Sequence, residues 1–478
     1  MYKIKPFNYY LNKSYVYCNQ PLTSFAMIIK KKLSIFLVIG YALSVFSQEN
    51  FELQNGKSDK IHFKFVNNLI IIPVTVNGAS LSFLLDTGVS RPIIFNFFNL
   101  KDKLSIHKTE LIQIQGLGNE KPIEVLQSSN NTVIIGEAIN LNQDLFAIVD
   151  SSINFAPSLG IPIHGIIGYD VFKDFIVEVN YSRKFIKLYN PKTYSSKLSK
   201  KWRVSSLKFY NKKPIIEANV TVNEREVPVN LLIDTGGSDA LWLFEDSSQW
   251  LPVPKQNFND FLGKGLSGSI FGKRAVVHSF RLKDFQLNKV NVAFPDASSI
   301  NKTNIYGLRN GSLLGDVLHR FNWVFDYQSQ KVRFKKNKHF KAPFKYNKSG
   351  IMMQYAGVRV VKKQIKTSNG FTEDTSNLNA SPNSNTINFS YHYKLEIVPE
   401  LIISDLRPNS PAFNAGLQIG DVVLSINTQD LSALTLQKAI EQFYGKDGKL
   451  IRMTIERHGV VFKYEFRLRD LLQKKSTN

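Results

Sequence analysis

The sequence predicts a mainly β protein, with two duplicated all-β lobes followed by a smaller α+β domain. Segments recur in the same order about 147 residues apart, short apolar runs alternate with period two between Asn-Gly-type turns, and the composition changes after the second lobe. Composition admits such a chain. Of 478 residues, 43% are hydrophobic and 21% charged, ordinary proportions for a protein that buries cores. A single cysteine excludes a disulfide framework and any multi-cysteine zinc or iron–sulfur site, and no metal or cofactor is expected.

Near the N-terminus, Met27-Ile28-Ile29-Lys30-Lys31-Lys32 precede an apolar run over 33–46, and Ser47-Gln48 follow. This is the layout of a secretory signal over 27–47, with Ser47 a small residue at the cleavage point. The run is short for a bilayer span, so no stable membrane span is expected after its removal. Residues 1–26, which hold the one cysteine, Cys18, then read as an upstream start-codon artefact. The competing reading of 33–46 is a buried helix. The expected product is exported, periplasmic or secreted, in a bacterium. The formal charge is +23, and 1–47 contribute six lysines and no acid to it, so the remainder stays basic. Either the surface favours acidic partners or its cations are simply solvated. The lysines are scattered, without the aromatic-interleaved basic stripe of a nucleic-acid binder, so no nucleic-acid partner is expected.

The first lobe is read over 58–192 and the second over 204–340. Leu84-Leu85-Asp86-Thr87-Gly88 recurs 148 residues on as Leu232-Ile233-Asp234-Thr235-Gly236. Gly165-Ile-Ile-Gly168-Tyr-Asp-Val-Phe172 is echoed 147 on by Gly311-Ser-Leu-Leu-Gly315-Asp-Val-Leu318, and Phe175 to Tyr181 is echoed 146 on by Phe321 to Tyr327. Asn77-Gly78 separates two alternating runs and signals a two-residue hairpin, which the second lobe repeats at Asn223-Glu224. Lys-rich stretches, 191–201 and 335–348, mark the seams.

A third domain is read over 343–472, with an Asn/Ser/Thr-rich mobile insertion at about 367–390. Within it Ser410 is an N-cap with Pro411 in the first helical position, Gly416 ends that turn, and Gly420-Asp421 turn into the apolar strand 422–426. Leu436, Ile440 and Phe443 share one face of a second helix. The run 401–443 resembles a PDZ domain of the bacterial secreted type. The resemblance implies that an extended peptide, or a polypeptide C-terminus, adds as a strand beside that helix. Gly350, Ile351 and Met352 would form the strand that receives it, with Leu436 and Ile440 opposite.

An Asp-Thr-Gly at a strand end presents a carboxylate held by backbone N–H groups. The glycine allows close backbone approach, and the threonine hydroxyl can reach a partner loop. One copy arises by chance roughly once per several thousand positions. A second copy in the equivalent place of a duplicated lobe carries the weight. A pseudo-twofold would bring Asp86 and Asp234 face to face, and carboxylates about 3 Å apart cannot both ionise, so they share a proton. One then serves as general base on a water while the other polarises a carbonyl.

On these residues the chain resembles a two-lobed aspartic peptidase of the pepsin/retropepsin group, with a C-terminal PDZ domain. The resemblance covers 65–335 and implies two β-barrel lobes, a polypeptide substrate, Asp86 and Asp234 as the catalytic pair, and Thr87, Gly88, Thr235 and Gly236 as loop support. It also places Ile166-Ile167-Gly168 and Leu313-Leu314-Gly315 beneath the catalytic loops. The chain departs from the pattern at Val89 and Gly237, where pepsin-like members carry Ser or Thr. Fewer hydrogen bonds to the charged form predict a working pH nearer neutral.

Flap candidates are Gly116 and Gly118 in lobe one and Gly263 and Gly265 in lobe two. Paired flaps would be similar to retropepsins, whereas the competing reading is of plain hairpin turns, and the flap segment lacks a tyrosine. Arg91 and Asp239, at comparable places after the two loops, either pair across the lobes, select charged substrate side chains, or form surface ion pairs of little consequence. His164 reads as a hydrogen-bonded structural histidine. No Ser/His/Asp order, His-Glu-x-x-His or phosphate-binding glycine loop is present. The functional expectation is an exported aspartic endopeptidase with peptide recruitment. The alternative is a catalytically silent peptide-binding envelope protein using the same cleft.

Overall fold

The computed structural model describes residues 50–95, 104–106, 109–118, 121–195, 199–246, 248–299, 309–372, 386–430 and 435–472. The expected signal, 27–47, and the extension before it, 1–26, lie outside the described residues, as does 373–385. The described chain is mainly strand, arranged in four sheets, and its helices are of six residues or fewer. Among the described residues no helix is long and apolar enough to cross a membrane.

In the first lobe, strands Leu69–Val76 and Ala79–Leu85 pair around Asn77-Gly78, both left-handed at φ 47° and 87°. That geometry is the type I′ turn whose twist suits a two-residue hairpin. The second lobe repeats it with Lys213–Val222 and Arg225–Ile233 around Asn223-Glu224, at φ 46° and 67°. Each strand leading into an Asp-Thr-Gly pairs in parallel with a short strand, Ala79–Leu85 with Gly165–Ile167 and Arg225–Ile233 with Gly311–Leu313. Parallel neighbours are covered on both faces, which is why Phe83-Leu84-Leu85 and Leu231-Leu232-Ile233 are unbroken apolar runs, all buried.

The lobes share one six-stranded sheet. Ser58–His62, Phe185–Tyr189 and Ile176–Asn180 come from the first lobe, and Phe321–Asp326, Lys331–Lys336 and Arg203–Ser206 from the second. Its central pair joins the duplicated segments antiparallel, with Val177 opposite Phe325 and Val179 opposite Trp323. Equivalent strands meeting antiparallel is what a local twofold axis requires. One continuous core, including Val177, Val179, Trp323, Phe325 and Phe334, runs through this sheet into both lobes, so the aspartate-bearing loops sit on a common support.

The C-terminal domain has its own core of Ile351, Met353, Ile403, Val423, Leu436, Phe443 and Ile455 among others, beneath five main strands. Ser410 caps the turn Pro411–Asn414 by accepting from Phe413 N at 3.3 Å, and Gly416 leaves it at φ 96°. The described part of the expected mobile insertion is strand instead. Ile351–Thr372 and Thr386–Leu406 pair as one long antiparallel ribbon out to Thr372 opposite Thr386. A ladder satisfies backbone groups without apolar side chains, so low hydrophobicity was a poor guide there.

Candidate active site

The two Asp-Thr-Gly loops interlock across the lobes. Thr87 Oγ1 donates to Ile233 O at 2.6 Å and accepts from Thr235 N at 3.1 Å. Reciprocally, Thr235 Oγ1 donates to Leu85 O at 2.7 Å and accepts from Thr87 N at 3.0 Å. Both threonines are buried, so each bond also removes the desolvation penalty of its backbone partner. The lock sets the carboxyl groups of Asp86 and Asp234 against one another in hydrogen-bond contact. Each is fixed from its own loop, Asp86 Oδ1 by Gly88 N at 2.7 Å and Asp234 Oδ1 by Gly236 N at 2.9 Å. The glycines are sterically necessary to different degrees. A Cβ at Gly236 would lie 2.3 Å from Asp86 Oδ2, whereas one at Gly88 would lie 3.1 Å from Asp86 Oδ1.

Burial raises Asp86 first and the Asp234 charge second, to about 7, against the Gly88 amide and the Lys213 cation. Burial also raises Asp234, opposed by Arg309, the Gly236 amide and Lys213. The pair can therefore hold one proton between two carboxyls near neutrality, the state that supplies an acid and a base together. Lys213 and Arg309 were not anticipated. Arg309 donates Nε to Gly311 O at 2.9 Å and Nη2 to Ser312 Oγ at 2.5 Å, and its guanidinium lies 5.4 Å from the Phe244 ring centre. Burial draws the Arg309 pKa down to about 10, and lowers that of Lys213, with Arg309's charge adding to the effect. A sequence signal for Lys213 existed: counting back across the Asn223-Glu224 hairpin, where Ile215 faces Leu232, puts Lys213 level with Asp234. The same count in lobe one, from Ile71 opposite Leu84, puts Leu69 level with Asp86.

The supporting strands correct one expectation. Asp86 N donates to Ile167 O at 2.8 Å and Asp234 N to Leu313 O at 2.9 Å, so Gly168 corresponds to Leu314 and not to Gly315. Matching by glycine identity was off by one residue, because the two lobes fill this space differently. A Cβ at Gly168 would fall 1.8 Å from Asp86 O, whereas at Gly237 it would fall 2.4 Å from Leu314 Cδ2. Leu314 thus occupies the space that a side chain at 237 would need, and the departures Val89 and Gly237 belong to this exchange of large and small residues.

Residues 72–171 match the family model described as aspartyl protease, and residues 402–457 match the one described as PDZ domain. The two matches place an aspartyl protease-like region ahead of a PDZ domain. A search of the curated proteins gave no match. The aspartyl protease span contains Asp86, Thr87, Gly88 and the first supporting strand; the second lobe's likeness rests on the topology and interlock above.

Two hairpins meet over the aspartyl protease-like lobes. The first is formed by strands Thr109–Ile114 and Ile123–Ile135, the second by Asn257–Gly265 and Gly268–Leu282. Their tips touch: Ser267 N donates to Leu117 O at 3.0 Å and Gly116 N to Ser267 Oγ at 2.8 Å. The contact is tight at Gly118, φ 116°, where a Cβ would stand 2.0 Å from Ser267 O, and at Gly265, where it would stand 2.1 Å from Leu117 O. Leu266 packs with Ile112, Ile114 and Val89 against an apolar cluster of lobe one. Gly263 is not at the tip but at a bulge in its strand, so Leu266, Ser267 and Gly268 replace it as tip residues.

Arg91 and Asp239 do not pair with each other. Arg91 reaches Asp144 at 3.4 Å, and Asp239 takes Arg274 at 2.9 Å and Trp242 Nε1 at 2.7 Å, each within its own lobe. His164 accepts from Ser82 N through Nδ1 at 3.1 Å, and burial lowers its pKa, so it sits in the strand framework as a neutral acceptor. Among the described residues no group of three or more His, Cys, Asp or Glu is arranged to hold a metal ion.

In the PDZ domain the strand's period of two separates the expected ligand residues. Ile351 points into the domain core and Met352 outward, 41% exposed. Leu436 is wholly buried and Ile440 partly so. Gly350, φ 86°, backs onto Ser410, where a Cβ would be 2.3 Å from Ser410 Cβ. The amides expected to meet a carboxylate are engaged internally, Gly350 N with Asn347 Oδ1 at 3.3 Å and Ile351 N with Ser349 Oγ at 3.0 Å.

Proposed function

We propose that the chain is an exported aspartic endopeptidase in which Asp86 and Asp234 share one proton and activate a water against a peptide carbonyl. The single observation that carries the reading is the reciprocal Thr87–Thr235 interlock, which brings the two carboxyls into contact on a common core. With a water between them, the ionised member takes its proton as the oxygen attacks, while the protonated member donates to the carbonyl oxygen. The aspartate that took the water's proton then gives it to the amide nitrogen as the C–N bond breaks, and the other aspartate takes back the proton from the hydroxyl of the tetrahedral intermediate, so the pair again holds one proton. The raised Asp86 keeps the singly protonated pair available up to about pH 7. Meeting hairpin tips supply the gate that encloses a polypeptide and excludes bulk water. Export is part of the proposal and rests on the signal-like 27–47 segment.

The test is hydrolysis of an unfolded protein by the 48–478 form, with and without pepstatin, beside Asp86→Asn and Asp234→Asn. Either substitution should lower turnover by at least about 10³-fold, since it removes the acid or the base outright. Undiminished turnover in either variant would remove the pair from the chemistry.

A further inference from the structure

A peptide ligand of the PDZ domain would add to the free edge of strand Ile351–Thr372, beside helix Leu436–Glu441. That strand is the last in its sheet. The place is already taken. A one-turn helix of the first lobe, Ala156–Leu159, packs against the strand, and the next residue, Gly160, sits between strand and helix. A Cβ there would lie 3.1 Å from both Leu436 Cβ and Gln437 Nε2 and 3.2 Å from Tyr355 Cε2. Gly160 also has φ 68°, so conformation and closeness both favour glycine. Gln437 Nε2 donates to Leu159 O at 2.5 Å, and Tyr355 Oη accepts from Leu436 N at 3.2 Å across the same gap.

The same domain also grips the second hairpin. Arg407, whose amide donates to Gly350 O at 2.9 Å, reaches Asp260 at 3.4 Å and lies 4.4 Å from the Phe258 ring centre. Both partners are in strand Asn257–Gly265, one arm of the hairpin. Asp260 is further held by Arg274 at 2.6 Å on the other arm. Tyr346 packs on Phe258 at 5.6 Å between ring centres, and Gln256 Nε2 donates to Leu471 O at 3.1 Å. One domain thus faces lobe one with its peptide edge and holds the lobe-two hairpin by the loop at the end of that edge.

We propose that the lobe-one turn 156–160 is a built-in occupant of the PDZ groove, and that a polypeptide displacing it releases the second hairpin, coupling ligand capture to opening of the cleft. Any strand long enough to pass Tyr355 collides with Gly160, so its apparent affinity is reduced by the fraction of time the turn is away. By reciprocity, whatever loosens the turn strengthens capture. Only the catalytic consequence rests on the peptidase reading.

The test uses the whole 48–478 chain and its Gln437→Ala and Arg407→Gln variants. Gln437→Ala removes the bond to Leu159 O, and Arg407→Gln the contact with Asp260. A pool of extended peptides with free apolar carboxyl ends is captured on each protein, and amide exchange over 257–268 is followed without peptide. Gln437→Ala should capture about fivefold more peptide and speed exchange of the hairpin, which it does not touch, by a similar factor. Arg407→Gln should speed hairpin exchange as well. Equal capture by Gln437→Ala and the parent chain, no capture by either, or hairpin exchange unaltered by Gln437→Ala would each overturn the proposal. Neither readout needs turnover, so an inactive but coupled protein and an active but uncoupled one give different results. Thermal melting checks that both variants fold.

Discussion

Replacing Gly236 by alanine tests the geometry of the aspartate pair while leaving every ionisable group in place. The added methyl would lie 2.3 Å from Asp86 Oδ2 and 2.4 Å from its Cγ. Ordinary carbon–oxygen contact begins near 3.4 Å, so the carboxyl must retreat by about 1 Å. The obstacle is the end of a side chain and not backbone, so the retreat costs little folding stability. It does pull Asp86 away from Asp234, and a misplacement of about 1 Å at reacting groups costs on the order of 10²-fold. The expected result is a kcat/KM on an unfolded protein about 100-fold below the parent, equivalent to about 2.7 kcal/mol of transition-state stabilisation, with an almost unchanged melting temperature. Gly88→Ala is the internal control. Its methyl meets Asp86 Oδ1 at 3.1 Å and nothing of Asp234 closer than 3.7 Å, so a shift of a few tenths of an ångström suffices and the loss should stay within about tenfold. A folded Gly236→Ala protein with parental turnover, or a Gly88→Ala protein damaged equally, would refute the reasoning.

Lys213→Met should move both limbs of the pH–rate profile upward. Lys213 favours the charged form of both aspartates, so its removal raises both pKa values, and the singly protonated pair then forms and is lost at higher pH. Limbs that stay put or move down would show that the cation does not act on the pair. Thr87→Ala strips Thr235 N of its acceptor and Ile233 O of its donor. The expected cost is about 2–4 kcal/mol, read as a lower urea midpoint with unchanged slope, and a midpoint equal to the parent's would contradict the account of the interlock.

What was legible in the sequence follows from locality. Turn residues, period-two runs and the cap at Ser410 act within a few positions of themselves, and the structure carries them at Asn77-Gly78, Asn223-Glu224 and Pro411–Asn414. The duplicated Asp-Thr-Gly was legible because a repeat with a nearly constant offset implies a twofold, and the interlock joins Thr87 to Thr235 at their repeat separation of 148 residues. Arg309 beside Asp234, the intralobe partners of Arg91 and Asp239, and the one-residue slip between Gly168 and Leu314 were not. Each depends on which chain segments the sheets bring together, or on how one side chain fills the space another leaves.

By itself the amino-acid order determined the mainly β architecture, the two lobes, the PDZ resemblance and the paired carboxylates, because patterning and repetition are properties of a single chain read end to end. Only the tertiary structure decided that two cations flank those carboxylates, that the hairpin tips meet, and that the PDZ edge is covered by the lobe-one turn. The Leu159–Gln437 contact spans 278 residues. No local propensity encodes such a meeting; it arises from the packing of domains whose surfaces the sequence pattern leaves unspecified.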